Sequence, residues 1–210
     1  MERRGGNSRW HSRASAAQAL PMPQVSITEL WLPILLAAVA VFVISSVIHV
    51  ASPLHKSDYK PLPDEERLLE AMREAGLERG GYAFPYASSM KQMAEDGFIA
   101  AQNLGPVGFM QVLPKGPIKM GGSLTIWFLY SALLATFAGY IGTLCLERGA
   151  NYHEVFRVTG TVALLGFATA PIQDSIWRGV QWAVTARFVF GGVLYGLVTA
   201  GVFGAMWPSA

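Results

Sequence analysis

The stretch "WLPILLAAVAVFVISSVI", Trp31 to Ile48, carries no charged residue. Uncharged apolar runs of about 18 residues or more read as transmembrane helices. Hydrocarbon offers no water to backbone N–H and C=O groups, and a helix satisfies them within the segment. The same absence of charge recurs from Met120 to Leu146, from Val158 to Gln173 and from Phe188 to Ala210. The third run is short, but Val155 and Phe156 extend it past Arg157. A soluble helical protein would keep a polar face on each such helix; these runs do not. The expectation is an all-α membrane protein with spans at 29–50, 122–146, 155–172 and 186–207.

Working outward from the spans, the whole chain of 210 residues is 52% hydrophobic and 14% charged, against about 25% charged in average soluble domains. Net charge is +2, and no basic stripe interleaved with aromatics points to nucleic acid. The single cysteine, Cys145, excludes an intrachain disulfide and multi-cysteine zinc sites. Residues 1–28 hold Arg3, Arg4, Arg9 and Arg13 among Ser, Ala and Gly. Such a segment fits an organelle transit peptide or a disordered basic tail, and the tail is the reading adopted, with the run after it kept as a span.

The segment 51–121 is a large hydrophilic loop. Within it, "PLPDEERLLEAMREAGL" (61–77) has acidic residues at its start, Arg73 near its end and Gly76 suited to a left-handed cap, which predicts a helix. Ser88 or Ser89 is placed to cap a second short helix. "VGFMQVLP" (107–114) reads as extended and suited to pairing with "YAFPY" (82–86). Residues 173–185 read as an amphipathic interfacial helix, with Asp174 and Arg178 at ion-pair spacing. Aromatic residues, including Trp31, Trp127, Tyr152, Trp177, Trp182 and Trp207, stand near the span ends. No internal repeat is visible, which weighs against repeat-built transporters. Counting Lys and Arg near span ends favours a cytoplasmic 51–121 segment.

Span two carries Ser131, Ala135, Gly139 and Thr143, and span four carries Gly192, Gly196, Ala200 and Gly204, each row with one small residue at every fourth position. Between membrane helices such rows permit close backbone contact, inside one chain or between chains. His49, His55 and Asp58 follow the first span. With Met90 and Met93 they form a candidate metal set, since imidazole and thioether suit copper, or haem as an alternative. The plainer reading places both histidines at the polar edge of the span with no cofactor. On an unbroken helix six residues turn about 240°, which would send the two rings apart; Pro53 interrupts the helix and leaves that open.

"HKSDYKPLP", "FPYASSMKQM", "GPVGFMQVLP" and "LYGLVTAGVFGAMWP" resemble stretches of bacterial four-span integral membrane proteins of no established activity. The resemblance implies a bacterial inner-membrane location and brings no catalytic residues. Intramembrane carboxylate pairs, hydrolase triads, HExxH and phosphate loops are not present in the sequence. The expected function is therefore a non-enzymatic protein, structural or accessory to a membrane assembly. Its expected partners are the lipid bilayer and a homo-oligomeric or complex partner. A redox or metal-handling protein and a small-solute channel or transporter are the alternatives.

Overall fold

The computed structural model describes residues 24–209. The basic-tail reading falls, for residues 1–23, outside the described residues. From Gln24 the chain is placed: Gln24 bridges Glu147, and Ser26 and Glu29 form a reciprocal capping box at the start of the first span.

A 3₁₀ turn, Ile27–Leu30, leads into helix α1, Trp31–Ser46, which widens into a π-helical turn at Val47–Ala51. Short elements follow: α2 (Glu65–Glu74), β1 (Gly80–Phe84), α3 (Met90–Met93), α4 (Asp96–Leu104) and β2 (Gly108–Val112). Then come α5 (Met120–Cys145), α6 (Tyr152–Ala168), α7 (Ala170–Arg178) and α8 (Trp182–Met206). Among the described residues four stretches are long and apolar enough to cross a membrane: Ile27–Ala51, Met120–Cys145, Tyr152–Arg178 and Trp182–Met206. The chain is a multi-pass membrane protein. Its bundle exposes Leu35, Leu133, Phe137, Leu165, Phe190 and Leu197, an outer surface stable against lipid and unstable in water.

The four spans form a ring. α1 packs on α5 and α8, and α6 packs on α5 and α8, the α6–α8 contact being the most extensive. A Cβ placed on Gly192 would lie 2.6 Å from the Phe167 carbonyl oxygen, and one on Gly196 would lie 3.1 Å from Leu164 Cα. These distances leave no room for a side chain, so the backbones touch there. Ala200 meets Gly160, whose Cβ position is 2.8 Å from the alanine methyl, and Gly204 lies under the Tyr152 ring.

On α5, Ser131 and Ala135 are buried, and Gly139 faces Phe203 and Leu30. Thr143, fourth in that row, is only half-buried, and Gly142 takes the inward place against Trp207. The cause is geometric: an every-fourth row winds about 40° per step around a helix of 3.6 residues per turn. Apart from Thr143, both rows face neighbours within this chain. Buried hydroxyls need no distant partner, because Thr159 and Thr199 donate to the carbonyls of Val155 and Tyr195 one turn back.

The stretch 173–185 is not a single helix. Gly179, at φ +69°, ends α7, with Val180 N–H donating back to the Asp174 carbonyl. Glycine occupies this left-handed cap without a Cβ penalty. α8 starts at Trp182, earlier than 186, and the buried Ser175–Thr185 hydroxyl contact at 2.5 Å pins the corner. Asp174 and Arg178 meet at 3.3 Å, both half-exposed, where such pairs contribute at most about 0.5 kcal/mol.

In the 52–119 segment, β1 and β2 form an antiparallel ribbon with Tyr82 opposite Met110 and Phe84 opposite Gly108. α2 ends at a left-handed Gly76, φ +68°. Ser89 caps α3 through the Gln92 N–H.

Packing predicts a ranked outcome. Gly192→Leu and Gly196→Leu should each lower the thermal midpoint in mild detergent and shift the elution profile. Gly122→Leu, at a site with no neighbour within 4 Å, should leave both unchanged. Equal behaviour of all three would contradict backbone contact between α6 and α8.

Candidate functional site

Each end of the bundle is closed by an ion pair between parts distant in sequence. At one end Arg148, between α5 and α6, donates to Glu29 at 2.5 Å. The same end gathers the Trp207 indole N–H on the Glu147 carbonyl and the Gly149 N–H on the Pro208 carbonyl. At the other end Asp58, only 3% exposed, receives Arg187 from α8.

This second end is where the sequence placed candidate ligands. The π turn and Ser52, whose hydroxyl donates to the Ile48 carbonyl at 2.6 Å, finish the first span. Two tight turns follow, from the Pro53 carbonyl to Lys56 N–H and from the His55 carbonyl to Asp58 N–H. They carry His55 back over His49. The two imidazoles stack with centroids 4.4 Å apart and planes within 5°. The Phe188 ring closes on His55 at 4.8 Å.

A polar ladder holds this stack. The Ser45 carbonyl only accepts, so His49 donates to it through Nδ1 at 2.9 Å. His55 Nδ1 donates to Asp58 Oδ2 at 2.6 Å. Arg187 donates to Asp58 Oδ1 through Nε at 2.7 Å, with Nη2 at 2.6 Å. Both carboxylate oxygens are occupied, which is what a carboxylate removed from water requires. Burial pushes the Asp58 carboxyl up, but the hydrogen bonds from His55 and Arg187, with the Arg187 charge, outweigh it and hold it below the usual carboxylate range. With Nδ1 donating in each ring, Nε2 is the nitrogen left to meet a ligand.

Below the stack lies a cavity of about 520 Å³, lined among others by Ser45, His49, His55, Trp127, Tyr130, Phe167, Phe188 and Tyr195. Trp127, Phe167 and Tyr195 form an edge-to-face cluster, with centroids 5.5 to 6.0 Å apart. The Trp127 indole donates to Ser45 Oγ at 2.8 Å, and Tyr130 donates to the Gly166 carbonyl at 3.1 Å. The Tyr195 hydroxyl is buried and has no hydrogen-bond partner among the described residues.

The structure thus brings His49, His55 and Asp58 together, and it does not bring Met90 or Met93 to the cavity. Those two sit exposed on α3, while Met120 lines the rim. Among the described residues no group of three or more His, Cys, Asp or Glu side chains is placed to hold a metal ion. Arg187, Trp127, Phe188 and Tyr195 were not singled out by the sequence reading as members of this site. Span parity offered one signal: in a four-span chain the end of span one, with Asp58, and the start of span four, with Arg187, share a side. Comparison with known protein families, curated proteins and solved structures found no match to this chain.

Removing either charge strands the other. Asp58→Asn and Arg187→Gln should each destabilise by about 2–3 kcal/mol, below the 3–5 for fully buried pairs because Arg187 is partly exposed. The double variant should cost far less than the sum. Because the folded-state pKa of Asp58 lies below its unfolded value, its contribution is complete above the ordinary aspartate pKa of about 3.9 and is lost as pH falls through the folded value. The thermal-midpoint gap between parent and Asp58→Asn should be constant near neutrality and close in strong acid. Strict additivity, or a gap that widens in acid, would contradict the pairing.

Proposed function

We propose that this multi-pass protein is a non-enzymatic accessory component of a membrane assembly in the bacterial inner membrane, with the four-helix ring as anchor and the 52–119 segment as the part that meets a partner. One observation carries this reading. Within the segment β1 pairs with β2 and α3 meets α4, and among the described residues none of its elements makes extensive contact with the spans. They nevertheless leave Tyr86, Leu104, Val107, Phe109, Leu113 and Ile118 exposed. Apolar surface of this kind marks an interaction site on a folded protein, and a two-stranded ribbon also offers free edges to a further strand.

Two features support an accessory role. The hydroxyls of Ser46, Ser131, Thr159 and Thr199 are engaged with carbonyls one turn back, the bonding of structural hydroxyls rather than of activated nucleophiles. A bacterial inner-membrane location is what the resemblance of the loop and span-four stretches implies. An interfacial position for α7, with Ile176 and Trp177 exposed beside its ion pair, also belongs to the proposal.

A photo-activated cross-linking residue at Phe109, in cells, should yield a discrete protein adduct, either a second copy of the chain or a different membrane protein. The adduct should disappear when Leu113 and Ile118 are both changed to Asp. The same residue placed at Leu165, on the outer face of α6, should capture mainly lipid. Lipid adducts alone from position 109 would overturn the accessory reading.

A further inference from the structure

We propose that the cavity beneath the His49–His55 stack binds a neutral, flat lipophile bearing a carbonyl or hydroxyl oxygen, the chemistry of a quinone or quinol headgroup. The proposal is independent of the partner surface on the 52–119 segment.

Shape and size come first. The cavity, about 520 Å³, falls within the range of small-molecule sites. Its walls are the rings of Trp127, Phe167, Phe188 and Tyr195, with the paired imidazoles above. Aromatic faces favour a flat ring over a flexible chain. A Cβ placed on Gly191 would sit in ordinary contact with the Tyr195 hydroxyl, at 3.5 Å, so the glycine leaves space for about one methyl group beside the phenol.

Charge comes next. Among the described residues no Asp, Glu, Lys or Arg side chain lines the cavity, and the nearby Asp58 carboxylate already has both oxygens occupied by His55 and Arg187. A charged ligand would enter without a counter-charge and lose its hydration, which is costly in a nonpolar site. A neutral one would not.

Hydrogen bonding selects the class. Tyr195 is 5% exposed and lines the cavity, and its hydroxyl, itself closed to solvent, has no partner among the described residues. A buried polar group left unpaired costs about 1–3 kcal/mol, and a carbonyl or hydroxyl oxygen on the ligand removes that cost. The Nε2 atoms of His49 and His55, freed by their Nδ1 bonds, accept from a hydroxyl. A ring with two oxygens can use the phenol and an imidazole together. Entry is also suited to a membrane solute. Val50, Met120 and Leu124 form an exposed apolar rim where α1 ends and α5 begins, and a hydrophobic molecule can reach that rim along the lipid.

The test uses the full chain in lipid nanodiscs and a benzoquinone with a short isoprenoid tail, read by quenching of tryptophan fluorescence. The expected result is saturable quenching on top of linear partitioning, the saturable part being lost in Trp127→Phe. Tyr195→Phe should weaken it about tenfold, the worth of one hydrogen bond. Leu124→Trp, at the exposed rim and harmless to the core, should weaken it at least as much, so the proposal stays testable if the tyrosine variant fails to fold. Linear quenching alike in all variants, or saturable quenching that neither Tyr195→Phe nor Leu124→Trp alters, would overturn the proposal. Retention of a phospholipid that excludes the quinone from the parent would overturn it as well.

Discussion

A carboxylate that leaves water must find donors for both oxygens, and Asp58 finds them in His55 and Arg187. That requirement shapes the whole end of the bundle. It folds the chain back immediately after the first span, ties that span to the start of α8 across 129 residues of sequence, and orients one imidazole over another. Without the carboxylate, the return of the chain would rest only on the local turns after Ser52, the packing of Leu54 and the stacking of His55. Phe188 follows Arg187 on α8 and presses on the stack because the arginine is already anchored. The cavity is the space this anchored turn roofs over.

Beneath the roof, the walls depend on close helix contact. α6 and α8 meet backbone to backbone at Gly192 and Gly196, which fixes the height of Tyr195 relative to Phe167. The aromatic cluster inherits its spacing from that contact. Lipid gives no hydrophobic preference for one helix pairing over another, so small residues that permit approach take the role a greasy core has in water. The Glu29–Arg148 pair at the far end serves the same purpose as Asp58–Arg187, holding the first span to the loop between α5 and α6. One pair at each end, touching backbones between α6 and α8, and two buried apolar clusters centred on Phe203 and on Phe167 account for the ring of four helices.

The spans were legible because charge is prohibitive in hydrocarbon, and its absence over four long runs has few other causes. Their limits were less so. α8 begins at Trp182 because Gly179 stops α7, a local backbone event that hydropathy does not register. The small-residue rows were visible as spacing, yet Thr143 turns aside and Gly142 replaces it, since four-residue spacing drifts around a 3.6-residue helix. The histidine pair was visible and its stacking was not: an unbroken helix separates the rings, and only the π turn with the turns after Pro53 superposes them. Arg187 is one of several edge cations until the fold sets it beside Asp58. Ribbon pairing could be read from composition and the positions of Pro85, Pro106 and Pro114, whereas the exposed apolar side chains on that segment required the three-dimensional arrangement.

Asp58 holds a stacked imidazole pair through a defined ladder of donors. Nitrogen-15 NMR of histidine-labelled protein in nanodiscs tests it most directly, with the signals assigned by single substitution. His49 and His55 should both carry their proton on Nδ1, their rings should show a mutual proton contact, and Asp58→Asn should shift the His55 signals and abolish the contact. Nε2-protonated, freely exchanging rings without mutual contact would contradict it.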